Sequence, residues 1–129
     1  MDNKTYTFDD AYRASLEYFD GDELAARVWA SKYALKDSFG NLYELTPDDM
    51  HHRIAAEIAR IEKKYPNPMS HDEVFGYLKD FRYIVPQGSP MTGIGNRFQR
   101  GRADNRSAPF EYIVGYGLFF LNSTDIPRL

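Results

Sequence analysis

Cysteine is absent from the 129-residue sequence. Its absence excludes disulfides, cysteine-ligated metal sites, thiol nucleophiles and thiol redox chemistry. Long hydrophobic runs are also missing, because the longest, residues 112–121, has only about ten residues and contains glycine, whereas a spanning helix needs about 20. The N-terminus has no apolar core behind a basic start, so no secretory signal is expected. These absences predict a soluble, cytoplasmic protein without a membrane partner.

An excess of positive charge is missing as well. Sixteen basic residues stand against 19 acidic ones, for a net charge of -3. No global positive field would attract nucleic acid, so that partner would need a local basic patch. Hydrophobic residues make up 43% and aromatic residues 16% of the chain, which supports one compact domain and excludes a fully disordered protein.

Four stretches within residues 1–81 show helical periodicity and helical end signals. Thr7 or Asp9 begins the first helix, and the second spans about residues 22–34. Thr46 and Ser70 are expected to cap the third and fourth. The residues predicted to face the core are Phe8, Tyr12, Leu16 and Phe19; Leu24, Ala25, Val28, Trp29 and Tyr33; Met50, Ile54, Ile58, Ile61 and Tyr65; and Val74, Phe75, Leu78 and Phe81.

The pattern changes after residue 81. Residues 82–86 are short and β-branched, which predicts a strand that leads into a Gly-rich loop, and residues 112–121 predict one or two more strands. Residues 36–45 are expected to form a tight turn or small hairpin. The fold class is therefore mainly α, with about four helices and one or a few short strands. We divide the chain into residues 1–81, 82–99 and 100–129.

The Gly-rich segment 88–96 is the strongest candidate for a binding site. Its glycines let backbone amides approach a phosphate, and the Ser89 and Thr92 hydroxyls can bond phosphate or ribose oxygens. Gly88 and Thr92 are the candidate phosphate contacts. The segment has neither the Gly-Lys-Ser/Thr end of a Walker loop nor the spacing of a dinucleotide fingerprint. Composition alone therefore favours an ordinary connecting loop over a phosphate site.

The histidines and paired acids predict neither a metal site nor a catalytic residue. His51 and His52 are adjacent, so they point about 100° apart on a helix and are interpreted as solvated residues. His71 beside Asp72 marks a helix start, because no recognisable motif places a Ser or Cys nucleophile near it. The acids at Asp48, Asp49, Asp72 and Glu73 suit the positive ends of helices.

The basic residues of segment 97–129 are five arginines, against three acidic residues. Arg97, Arg100, Arg102 and Arg106 lie close together and could contact phosphates. An exposed linker is the preferred interpretation, because no nucleic-acid fold signature accompanies the cluster.

Two stretches resemble the N-terminal region of the ribonucleotide reductase large chain, most closely its adenosylcobalamin-dependent (class II) branch. They read YFDGDELAARVWASKYALKDSFGNLYELTPDDMHHRIAAEIARIEKKYPNP and FRYIVPQGSPMTGIGNRFQ, within residues 18–99. The specificity lies in the order of the parts: a helical domain, a Tyr-Ala-Leu-Lys-Asp segment, and an aromatic-Ile-Val-Pro strand followed by Ser-Pro and a Gly-rich turn.

The resemblance implies a helical domain that packs beside a ten-stranded α/β barrel, with the Ser-Pro segment at the substrate end of the barrel. Ser89 would then contact the ribonucleotide substrate, and Pro90 and Met91 would shape the same substrate-binding loop. The implied enzyme is an adenosylcobalamin-dependent ribonucleoside-diphosphate reductase, which serves deoxyribonucleotide biosynthesis and DNA replication. The cofactor is implied for the complete enzyme and not for this chain alone.

The resemblance stops after residue 99, where the family continues into a strand that bears the first cysteine of its redox pair. We therefore expect an N-terminal fragment that is inactive alone, has the missing reductase barrel as its partner, and carries a tail from a shifted reading frame or a rearranged gene. Two alternatives stay open. One is a non-catalytic helical interaction module, and the other is a small nucleotide- or nucleic-acid-binding protein that uses residues 88–96 and the arginine cluster.

Overall fold

A computed structural model describes residues 4–99 and the backbone of residues 119–121. The chain is mainly helical, as the sequence predicts. Its helices are α1 (Phe8–Tyr18), α2 (Glu23–Val28), α3 (Pro47–Glu62), α4 (His71–Leu78) and α5 (Gly88–Gly93), and its strands are β1 (Ile84–Pro86) and β2 (Phe119–Leu121). A π-helical turn covers Trp29–Tyr33, and short 3-10 turns cover Lys79–Phe81 and Arg97–Gln99. No described helix is long and apolar enough to cross a membrane.

Three helices begin with a side-chain cap, and two of the capping residues, Thr7 and Ser70, were predicted. Thr7 accepts a hydrogen bond from the Asp10 amide while the Asp10 carboxylate accepts one from the Thr7 amide, which forms a capping box at α1. Asp22 caps α2, and Ser70 caps α4 by accepting from the Glu73 amide at 3.2 Å. The side chains satisfy amides that would otherwise have no helical partner, and so fix where each helix starts.

The start of α3 differs from the prediction. Thr46 occupies the cap position, but its side chain makes no capping hydrogen bond. Pro47 lies in the first turn, where a missing N–H costs nothing. The Asp49 carboxylate instead accepts from the Leu45 amide at 2.8 Å. The acid of the first turn therefore ties the preceding backbone to the helix.

The helices enclose one core, in which the Trp29 indole N–H donates to the Met50 sulfur at 3.4 Å. The buried members of the core are Ala11, Trp29, Ala30, Ala34, Leu42, Met50, Ile54, Ala55, Val74, Leu78 and Ile94. Several predicted core residues are exposed instead: Leu24 is 73% exposed, and Phe8 and Tyr65 also face outward. On α1 and α2 the buried positions are small residues such as Ala11 and Ala26, which let two short helices approach closely.

The end of the second helical segment is wound as a π-helix. The Ala34 amide donates to the Trp29 carbonyl five residues earlier, at 3.0 Å. A π-turn holds one more residue than an α-turn and changes the direction of the side chains that follow it. In this turn Trp29 and Ala30 are buried, and Tyr33 reaches α5.

The segment after the π-turn forms the predicted tight turn. Lys36 and Tyr6 each make an antiparallel bridge with Leu42. The Asp37 carboxylate accepts hydrogen bonds from the amides of residues 39 and 41, the Asn41 side chain and the Tyr43 hydroxyl. These bonds lower the pKa of Asp37. One carboxylate therefore organises the whole turn.

The strand predicted at residues 82–86 is observed at β1, and the strand predicted within residues 112–121 is observed at β2. They pair antiparallel, with Val85 opposite Phe120. β2 of the same chain therefore supplies a hydrogen-bonded neighbour for β1. The predicted Gly-rich loop needs correction, because residues 88–93 form the short helix α5.

Candidate functional site

The predicted substrate residues lie on α5, directly after β1. Ser89 is exposed in the first turn, Pro90 is buried, and Met91 packs against the helical core. The Thr92 hydroxyl donates within the helix to the carbonyls of Gly88 and Ser89, at 3.2 Å each. Ser89 therefore points outward, whereas Pro90 and Met91 pack inward. A phosphate contact from Thr92 would require its hydroxyl to leave these internal bonds.

Gly88 lies against the π-turn. A Cβ placed on Gly88 would lie 3.3 Å from Cε1 of the Tyr33 ring and 3.5 Å from its hydroxyl oxygen. The 3.3 Å contact is tighter than usual, so the ring would have to move by a few tenths of an ångström, and the absence of a side chain at Gly88 lets it pack on the first residue of α5 without that shift. The position of the ring depends in turn on the π-helical winding that precedes it.

A buried ion pair supports the other end of α5. The Arg53 Nε donates to Glu44 Oε1 at 3.1 Å, and the side chains are only 9% and 4% exposed. The two Nη groups of Arg53 donate to the carbonyls of Met91, at 2.7 Å, and Ile94. Glu44 Oε1 also accepts from the Leu35 amide at 2.9 Å. This set of contacts, which we call the Glu44–Arg53 clamp, connects α3, the segment after the π-turn and the C-terminal end of α5.

Burial determines the electrostatics of the clamp. Burial raises the pKa of Glu44, while the Arg53 charge and the hydrogen bonds from Leu35 and Arg53 oppose that rise. The second carboxylate oxygen, Oε2, is buried without a hydrogen-bond partner among the described residues. The carboxylate therefore depends on Arg53 for its stability in the interior.

Gly95 completes the contact with α3. Its φ of +71° lies in the left-handed region that favours glycine. A Cβ at this position would lie 2.9 Å from Arg53 Cγ and 3.2 Å from the Arg53 carbonyl oxygen. Glycine thus allows the chain after α5 to lie directly on the stem of the arginine.

One polar cleft lies beside the Glu44–Arg53 clamp, and another lies beside α5. The first, of about 290 Å³, has both clamp residues, Asp49, His52 and Arg97 among its lining residues. The second, of about 230 Å³, lies between the lysines of the π-turn region and the end of α5, and its lining is Ser31, Lys32, Tyr33, Ala34, Lys36, Thr92 and Asn96. The Lys36 amino group donates to the Ser31 and Ala34 carbonyls, and burial lowers its pKa. Both clefts are small compared with typical ligand sites of about 300–1,000 Å³.

The arginine cluster is only partly described. Arg97 stacks its guanidinium over the rings of Tyr43 and Phe98, 4.8 Å from each centroid. Arg100, Arg102 and Arg106 lie outside the described residues. The exposed linker that we predicted, and the phosphate-binding patch that was its alternative, both remain untested.

The two adjacent histidines occupy different environments. We predicted both as solvated, which was wrong for His51: it is 0% exposed and packs edge-on against Phe81, with ring centroids 4.6 Å apart. His52 is exposed and stacks on Phe75, and its Nδ1 lies 3.2 Å from Nε2 of His71. Across residues 4–99, no group of three or more His, Asp or Glu could hold a metal ion.

Sequence reasoning did not single out Glu44 or Arg53. The sequence does indicate that Arg53 is partly buried. It lies three residues after Met50 and directly before Ile54, at the edge of the apolar stripe of α3. A charged residue at such a position needs a partner. The sequence does not indicate which acid supplies it, since the Glu44–Arg53 contact depends on how the tight turn packs on α3.

The geometry defines a small helical domain that presents a short Ser-Pro helix behind a strand. The family model for the ribonucleotide reductase all-alpha domain matches residues 19–93, more than half of the chain. The chain therefore belongs to the ribonucleotide reductase family and contains the all-alpha domain of its large chain. Neither the comparison with curated proteins nor that with solved structures found a match.

Proposed function

We propose that residues 1–99 act as the N-terminal part of an adenosylcobalamin-dependent ribonucleotide reductase and present Ser89 to the ribonucleotide substrate. The family match extends through α5, and within α5 Ser89 is the exposed residue while Pro90 is buried. That outward position of Ser89 carries the proposal. A hydroxyl held on a short helix, next to backbone amides of its first turn, can bond a phosphate or ribose oxygen.

We further propose that this chain does not reduce ribonucleotides alone. The parent reaction abstracts a ribose hydrogen with a sulfur radical and reduces the 2′ carbon with two thiols, and the sequence has no cysteine. Adenosylcobalamin would supply the radical in the complete enzyme. The clefts beside the clamp and beside α5 are too small for this cofactor, so the residues that line them do not fit it. The proposed partners are the reductase barrel and the ribonucleotide.

A domain graft tests the proposal. Residues 19–99 would replace the corresponding segment of an adenosylcobalamin-dependent reductase, and turnover would be measured with the cofactor and a dithiol. We expect the graft to retain turnover and Ser89→Ala to raise KM at least several-fold, because the hydroxyl contact to substrate is lost. Ser38→Ala is the matched control, since Ser38 is an exposed serine on the tight turn.

Two results would contradict the proposal. An active graft in which Ser89→Ala and Ser38→Ala behave alike would exclude the substrate contact. Turnover by the 129-residue chain alone would exclude the argument from the missing thiols.

A further inference from the structure

We infer that Arg53, held by Glu44, is a positioning residue that sets the conformation of the Ser89 helix. The inference rests on the proposed function for its substrate role, and on the clamp contacts for its structural role. Arg53 does not reach Ser89 itself in any described hydrogen bond. It acts through the carbonyls of Met91 and Ile94, two and five residues further along the chain.

The helix needs such support because it is short. α5 has six residues, and Gln87 at its cap position makes no side-chain capping bond. Helices of this length are unstable by themselves. Its internal bonds include Met91 N–H to the Gln87 carbonyl and Ile94 N–H to the Pro90 carbonyl, at 3.1 Å each. A cation that binds carbonyls at the C-terminal end of a helix stabilises the helix through both hydrogen bonds and the helix dipole.

The planar guanidinium is suited to this contact. Three of its nitrogens bond three different acceptors: Glu44, Met91 and Ile94. A lysine ammonium is a compact charge on a flexible stem and does not reproduce this arrangement in a single plane. The inference therefore predicts that arginine is required at residue 53 for its shape as well as its charge.

Hydrogen exchange on the full chain tests the inference without substrate. In Arg53→Ala, we expect the Met91 and Ile94 amides to exchange at least ten-fold faster, while amides of α1 keep their rates. Guanidinium at low millimolar concentration should restore part of the protection, and sodium chloride at equal ionic strength should not. Arg53→Lys should protect these amides less than the natural arginine does. Arg13→Ala is the matched control, since Arg13 pairs with Asp9 on the exposed face of α1.

A double variant covers the case in which an unpaired Glu44 prevents folding. Glu44→Gln with Arg53→Met removes both charges, and we expect the same selective loss of protection in α5. Unchanged exchange at Met91 and Ile94, or equal acceleration in all helices, would overturn the inference. A further outcome separates the two roles. If protection is lost only in α5, but Arg53→Lys leaves the KM of the reductase graft unchanged, the result would support the clamp and contradict the substrate role of α5.

Discussion

His51 is a polar side chain in an apolar environment. Neither ring nitrogen has a hydrogen-bond partner among the described residues, and the ring packs against Phe81. Burial lowers its pKa to about 4, an effect reinforced by His52 and Arg53 and opposed by Asp80. The folded chain thus holds His51 neutral at a pH where an exposed imidazole would accept a proton.

The folded pKa of His51 predicts acid sensitivity. An unfolded chain binds a proton at His51 below about pH 6.5, whereas the folded chain does so only near pH 4. Above pH 6.5, His51 should therefore not affect the free energy of unfolding. As the pH is lowered from 6.5 to 4, the free energy of unfolding should fall by about 1.4 kcal/mol per pH unit. Urea unfolding at a series of pH values measures this slope.

Replacing the imidazole isolates its contribution to that slope. We expect His51→Leu to reduce the slope and to raise the free energy of unfolding at neutral pH by about 1 kcal/mol, because two unsatisfied nitrogens are removed. Ser38→Ala, at an exposed residue that does not titrate, is the control and should keep the slope. An identical slope in the chain with and without His51 would contradict the role assigned to it.

The burial of His51 could have been predicted from the helical period. His51 lies three residues before Ile54 and seven before Ile58, beside the apolar stripe of α3, whereas His52 points about 100° further away from that stripe. The sequence does not reveal that Phe81 packs against the buried ring. Phe81 is placed by an unusual backbone, because both Asp80 and Phe81 have positive φ values.

At the scale of elements, α1 to α4 could be predicted because period, caps and breakers agree along the sequence. α5 could not be, because Gly88, Pro90 and Gly93 are typical of loops. Its helical form depends on contacts from outside, namely Tyr33 at its start and the Glu44–Arg53 clamp at its end. Nothing local to residues 88–93 reveals either contact.

The contact between α5 and α3 predicts opposite effects for two glycines. Gly95→Ala should lower the free energy of unfolding by at least about 1 kcal/mol, because a Cβ is strained at positive φ and would lie 2.9 Å from Arg53 Cγ. Gly76→Ala should raise it by about 0.5–1 kcal/mol, because Gly76 lies within helix α4 with open space around it. Thermal unfolding of both variants measures these two changes in stability. Destabilisation by Gly76→Ala would contradict the prediction.

At the scale of the whole molecule, the described core is built from residues between Ala11 and Ile94. The family match covers a similar part of the chain, from residue 19 to residue 93. Outside this range, Tyr6 bridges Leu42, Arg97 stacks on Tyr43, and β2 pairs with β1. The core and the family relationship therefore lie in the same part of the sequence.

This distribution predicts that a chain ending at residue 99 keeps its helical fold. We expect the far-ultraviolet circular dichroism per residue to be more helical than in the full chain, since the helices are retained, and thermal unfolding to stay cooperative. Removal of the strand β2 should leave β1 without its partner and increase self-association, measured by sedimentation. Loss of cooperative unfolding would show that residues 100–129 are part of the core.

The π-helical turn has a consequence for changes in chain length. Its extra residue between Trp29 and Ala34 rotates everything that follows, and Tyr33 meets Gly88 because of that rotation. A descendant gene that lost one codon here would rewind the turn as an ordinary α-helix and point a different side chain at α5. The length of the π-turn and the residues of α5 are thus linked, although they are distant in the sequence. A change of length in the turn would have to be matched by a change of residue in α5.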